Sequence, residues 1–181
     1  SIGAIQCSDF MKNPLKIIVL LVTAALLFFF VNFTFINTKV LVIESEGKNI
    51  KQTLAVPQKK FTLSYIHSVQ KTPVYEVFEI TDDNKLILRE TTYSSLGVGL
   101  PFIEGEGHFI NEQGKFKLTG LDREFTSIPI RVSPIPEHSI IIGEKTYPLL
   151  SLVAPDDLVK ITAADRWMLV RRNNFTTEGT E

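Results

Sequence analysis

One apolar run constrains this chain more than anything else: Ile17 to Ile36, IIVLLVTAALLFFFVNFTFI. No acidic or basic residue interrupts it, and only Thr23, Asn32 and Thr34 are polar. Its twenty residues, at a helical rise of about 1.5 Å each, span the roughly 30 Å hydrocarbon core of a bilayer. Leu, Ile, Phe and Val each gain roughly 0.3–0.6 kcal/mol at mid-membrane, which outweighs one off-centre Asn. A secretory signal is the competing reading, because Thr23-Ala24-Ala25 supplies small residues for a cut. Cleavage there would leave LLFFFVNFTFI at the new terminus, so an uncleaved signal-anchor over residues 17–36 is expected. Lys12 and Lys16 precede the run and Lys39 follows it, which puts the short residues 1–16 in the cytoplasm under the positive-inside rule. The expected location is the cell (inner) membrane, single-pass, with the C-terminal domain outside the cytoplasm. Met11-Lys12-Asn13 suits a start of translation, so SIGAIQCSDF is expected to be an over-long gene prediction or a fragment boundary.

About 145 residues follow the run, the size of one domain with a real core. The single cysteine, Cys7, precedes the anchor, so the exported part has no disulfide, no thiolate metal site and no Cys nucleophile. Net charge is −1 with both signs interspersed, which excludes the basic stripe that nucleic-acid binding requires. The domain is expected over residues 38–172, with a disordered polar tail at 173–181.

Alternating apolar and polar residues recur about every ten positions after the anchor. Lys39–Glu44, Phe61–Ile66, Val74–Ile80 and Lys85–Thr91 read as strands, the last two joined by the tight turn Asp82-Asp83-Asn84. Gly107–Ile110 with Lys115–Leu118, and Ser139–Ile142 with Thr146–Leu149, read as two further hairpins. Asp157–Thr162 and Trp167–Val170 are expected to close the sheet, and a short helix is expected near Leu149–Ala154, stopped by Pro155. The expected class is all-β, an antiparallel sandwich or barrel preceded by one transmembrane helix.

Three segments stand out. In the first, YIHSVQKTPVYE, a strand ends in His67-Ser68, Pro73 stiffens the connection, and the next strand opens with Val74-Tyr75-Glu76. Paired strands would set His67 opposite Glu76 with Cβ atoms about 4.5–5.5 Å apart, and Ser68 and Lys71 at the turn. Two readings follow: a small polar binding site of His67, Ser68, Lys71 and Glu76, or a His–Glu hydrogen bond that pins the hairpin register, which is preferred. His67 and Ser68 are neighbours on a strand and point to opposite faces, which disfavours a serine hydrolase. His67, His108 and His138 lack the spacing of a zinc site. No catalytic residue, metal or cofactor is therefore assigned, and the expectation is a protein that is not an enzyme. The second segment, ETTYSSLGVGLP, is read as a surface loop turned by Gly97 and Gly99, with a lid over a pocket or backbone amides presented to an anion as the alternatives. The third, IPIRVSPIPEH, suits an edge strand or connection with its three prolines, and Arg131 there is a candidate carboxylate anchor.

In order and spacing, HSVQKTPVYE, ETTYSSLGVGLP and IPIRVSPIPEH before a closing hairpin resemble a bacterial domain-of-unknown-function family, number eighteen-fifty, over about residues 40 to 163. At Gln70 the chain departs from the family pattern, which has an acidic residue there. Members are often membrane-anchored and encoded beside tripartite TRAP transporters of the TAXI type. The resemblance implies a non-catalytic accessory protein of such a solute transporter. Its implied partners are the TRAP membrane subunits or the solute-binding protein. The alternatives are a small-ligand module, with carboxylates as ligands of Arg131, Lys71 and His67, and an envelope enzyme.

Overall fold

A computed structural model describes residues 14–45, 47–48, 50–94, 107–112 and 115–172. The Gly97–Gly99 loop, Cys7 and the tail 173–181 lie outside the described residues. The chain divides into two compact units, one of Thr38–Arg166 and one that combines Ser1–Asn37 with Trp167–Glu181.

In the second of these, helix α1 runs over Pro14–Asn32 and buries none of its residues. Pro14 sits in the first turn, where its missing N–H leaves no bond unmade. Nineteen residues give a length of about 29 Å. Two polar side chains within it are satisfied by the helix itself: Thr23 Oγ1 donates to the Leu20 carbonyl at 2.9 Å, and Asn32 Nδ2 to the Phe28 carbonyl at 2.8 Å. Such back-bonding lowers the cost of both groups in an apolar medium. The apolar run and the helix are not coextensive. Helix starts three residues before Ile17, and Phe33-Thr34-Phe35-Ile36 leave it to open strand β1 (Phe33–Ser45). Aromatic and β-branched residues in succession favour extended backbone, and the ladder with the last strand supplies the bonds that the helix no longer does.

The larger unit is a sandwich of two sheets. Following β1, the chain forms β2 (Lys51–Ala55), β3 (Lys60–Ile66), β4 (Pro73–Ile80), β5 (Leu86–Tyr93), β6 (His108–Glu112) and β7 (Lys115–Phe125). It continues through β8 (Ile128–Arg131), β9 (Ser139–Ile142), β10 (Lys145–Pro148) and β11 (Leu158–Arg171). The smaller sheet has the order β2-β1-β11-β8, and the larger β10-β9-β3-β4-β5-β7-β6. The sheets are open rather than closed into a barrel, and they share one core. Leu41, Ile43, Val159 and Ile161 of the smaller sheet join Phe61, Leu63, Phe78, Leu88, Leu118 and Ile140 of the larger in a single buried cluster. The Phe61 and Phe78 rings stack at 5.3 Å between centroids.

The hairpins have local causes. Between β4 and β5, the Thr81 hydroxyl donates to Asp83 at 2.6 Å and accepts the Lys85 amide at 2.9 Å, while Asn84 takes φ 64°. An Asn tolerates this left-handed geometry better than most residues. Strand β7 extends past Leu118 to Phe125 because it also pairs with β5, from Tyr93↔Phe116 to Leu86↔Phe125. Gly120, at φ 72°, lies where that register shifts. Three details depart from the sequence reading. The expected strands Asp157–Thr162 and Trp167–Val170 merge into one, β11, which starts at Leu158, because Ala163-Ala164-Asp165-Arg166 contains no turn residue pair. The helix expected near Leu149–Ala154 is a single 3-10 turn, Leu149–Ser151, hemmed by Pro148 and Pro155. Lys39, counted above as a flanking charge of the anchor, is buried at 6 % exposure. Its ammonium donates to the Asp82 carbonyl at 2.7 Å, to Asn84 Oδ1 at 2.9 Å and to Asp165 Oδ2 at 3.0 Å.

Candidate polar site of the larger sheet

The register of β3 against β4 decides which side chains of the first segment meet. Lys60 pairs with Glu79 and Ile66 with Pro73, so Glu76 lies opposite Leu63. The His67 amide in turn donates to the Thr72 carbonyl at 2.9 Å. His67 and Glu76 are therefore four positions out of step, and the expected cross-strand pair does not form. The connection is the reason. Residues 67–72 close a turn in which the Lys71 amide donates to the His67 carbonyl at 2.9 Å and Lys71 takes φ 53°. The His67 ring serves that turn: its Nδ1 accepts the amides of Val69 at 3.3 Å and Gln70 at 3.2 Å. Ser68 and Lys71 are exposed on the turn.

Glu76 faces inward. Its partners across the ladders are Leu63 and Thr91, which is in turn opposite Leu118. Directly opposite residues share a sheet face, and Leu63, Thr91 and Leu118 are all buried. The carboxylate thus stands on the core side of a strand that otherwise turns Val74, Phe78 and Ile80 inward. Its hydrogen-bond donor is Tyr65 Oη, 3.3 Å from Oε1. Burial pushes the Glu76 carboxyl above its ordinary value, while the Tyr65 hydroxyl and the Arg123 charge pull it back. Tyr65 is pushed up too, by burial first and then by the Glu76 charge. The Tyr65 ring packs on His138, with centroids 5.6 Å apart and planes tilted by 38°. Burial draws His138 below the usual imidazole range, and its Nδ1 is enclosed without a hydrogen-bond partner among the described residues.

Tyr65, Glu76 and His138 thus form a linked polar group on the inner face of this sheet. Sequence reasoning found Glu76 but not its companions. Tyr65 shares the inward alternation of Phe61 and Leu63 and reads as core, while His138 comes from a segment more than seventy residues away in sequence. Burial disfavours the charged form of both the Glu76 carboxyl and the His138 imidazole, and Tyr65 touches each of them. No group of three His, Cys, Asp or Glu side chains converges among the described residues.

Arg131 is not part of it. It lies on β8, the edge strand of the smaller sheet, opposite Leu158, where Pro129 is tolerated because one edge needs no ladder bonds. Its Nη1 donates to the Asp156 carbonyl at 2.9 Å, so the guanidinium closes the approach to β11. The structure therefore does not gather His67, Lys71 and Arg131 around one position.

No curated protein and no solved structure matches this chain. A family model does, over residues 61–149. That span runs from Phe61 in β3 to Leu149 just past β10, which takes in the larger sheet, the Tyr65–Glu76–His138 cluster and Arg131. The family is described as Domain of unknown function (DUF1850), and over this span the chain matches it.

Proposed function

We propose that the chain is a membrane-anchored extracytoplasmic accessory protein of a TAXI-type TRAP solute transporter, without catalysis of its own. The observation that carries the anchor is α1: a strongly apolar helix of nineteen residues with none buried. From Ile17 on the helix carries no charge and is apolar on nearly every side, and such a surface needs an apolar surrounding. The same helix passes directly into β1, which threads the middle of the smaller sheet. Anchor and domain are therefore one covalent piece, as a tethered partner of a membrane complex requires.

The transporter link rests on the family, whose resemblance includes genes placed beside TAXI systems. Topology follows from charge. Lys39 is spent on Asp82, Asn84 and Asp165, so it weighs little against Lys12 and Lys16, and the β domain goes outside the cytoplasm. A membrane-impermeant maleimide then leaves Cys7 unlabelled in intact cells, and labelling would reverse the orientation. Capture of the full chain from crosslinked membranes is the direct test of partnership. TRAP membrane subunits or the solute-binding protein should co-purify, and their absence with well-expressed bait would sink the proposal.

A further inference from the structure

Within the smaller unit, β1 does not begin as a core strand. Its first residues, Phe33–Asn37, and the end of β11 from Trp167 onward belong to that unit and not to the sandwich. The two strands are neighbours in the sheet. They run in opposite directions, since Lys39 meets Asp165 and Ser45 meets Asp157. Those pairings also fix the faces: odd-numbered residues of both strands share one side, because side chains alternate with period two. In the ribbon that side carries Phe33 and Phe35 from β1, with Trp167, Leu169 and Arg171 from β11. Phe35 is 64 % exposed, Trp167 69 % and Leu169 44 %. Three large apolar side chains bared on one face are costly in water and call for a partner.

Chain continuity says what covers them. Phe35 lies three residues beyond Asn32, the last residue of α1, within about 10 Å of chain at strand spacing. A bilayer that holds α1 therefore has its headgroup layer at this ribbon. The composition suits that layer: tryptophan concentrates where one end of the ring is apolar and the other wet. Arg171 and Arg172 are exposed at the end of the same strand, where their forks match lipid phosphate.

We propose that the ribbon of Phe33–Asn37 and Trp167–Arg171 is an interfacial lipid-binding element. Phe35, Trp167 and Leu169 enter the acyl boundary, and Arg171 and Arg172 engage the phosphates of anionic lipid. The proposal rests on α1 spanning the bilayer, not on the transporter partnership. Trp167 is the only tryptophan of the chain, so fluorescence reports this one position.

The full chain is reconstituted in phosphatidylcholine vesicles whose acyl chains carry bromine at shallow, middle or deep positions. Trp167 emission should be blue-shifted and quenched most by shallow bromine. Emission of a hydrated tryptophan, unquenched at every depth, would overturn the proposal. A blue shift without lipid quenching would also overturn it, because a protein surface would then be the cover. The W167F/L21W double variant moves the probe into α1 and keeps the two failures apart. Its quenching by deep bromine shows the helix embedded whatever the ribbon does, and its failure removes the anchor itself. Added phosphatidylglycerol should deepen the Trp167 blue shift, and R171E/R172E should abolish that increment. An unchanged increment in R171E/R172E would overturn the assignment of the arginines.

Discussion

Glu76→Gln should change how stability depends on pH rather than merely lower it. Burial favours the neutral carboxyl, so folded Glu76 holds its proton above the unfolded value of 4.5. The stabilisation from this group is complete below the unfolded value and is lost as pH rises through the folded one. Between those two values one extra proton is bound by the folded state, and the slope reaches at most about 1.4 kcal/mol per pH unit. His138 acts with the opposite sign. Burial lowers it from 6.5, so its contribution is present above that value and fades as pH falls through the folded one. The two windows overlap, and the wild-type curve alone mixes them. The difference between wild type and Glu76→Gln isolates the carboxyl, because Gln keeps the volume and an oxygen that accepts from Tyr65 Oη. Urea unfolding of residues 38–172, followed by far-UV circular dichroism, measures it from about pH 4 to about pH 8. The variant should gain on wild type as pH rises, and equal it or exceed it at the alkaline end. Glu76→Ala instead leaves the half-buried Tyr65 hydroxyl unpaired and should cost roughly 1–3 kcal/mol across the range. A wild-type minus Glu76→Gln difference that stays flat with pH would refute the reasoning, since the carboxyl would then titrate alike folded and unfolded.

Lys39→Ala removes a buried ammonium that serves two acceptors on the β4–β5 turn and the Asp165 carboxylate. Because Asp165 is 43 % exposed and can rehydrate, the expected loss is about 1.5–3 kcal/mol in the urea midpoint rather than that of a fully buried pair. His67→Ala should cost less than about 1 kcal/mol, because the amides it serves are long-bonded and near solvent. Hydrogen exchange should quicken at Val69 and Gln70 alone, and a global loss would return His67 to the core. Gly107→Ala and Gly143→Ala both force alanine into positive φ, about 1–2 kcal/mol each. A Cβ at Gly107 would also strike the Thr119 carbonyl, whereas Gly143 faces open space, so thermal unfolding should rank Gly107→Ala clearly lower.

What the chain's own residues determine is local. The run of uncharged apolar residues dictates a helix that seeks lipid, because nothing in it asks for water. Period-two alternation and Asp/Asn or Gly turns dictate hairpins, and the β4–β5 turn closes through Thr81, Asp83 and Asn84 within five residues. Pro129 confines β8 to an edge before any neighbour is known. The DUF1850 segments are legible for the same reason, since they lie in order along the chain. Tertiary structure alone decided register and partnership. His67 and Glu76 looked like a pair because the length of the turn between them was open, and six residues of turn moved them four positions apart. Glu76 met Tyr65 through the β3–β4 register, and Tyr65 met His138 because the β3–β9 pairing carried in a residue distant in sequence, which no local pattern encodes. Lys39 looked like a membrane flank from its place beside the anchor. Only the packing of the β4–β5 turn and β11 around it made it a buried clamp. The same apolar run ends its helix four residues early because β11 offers Phe33–Ile36 a ladder, a competition settled between distant strands.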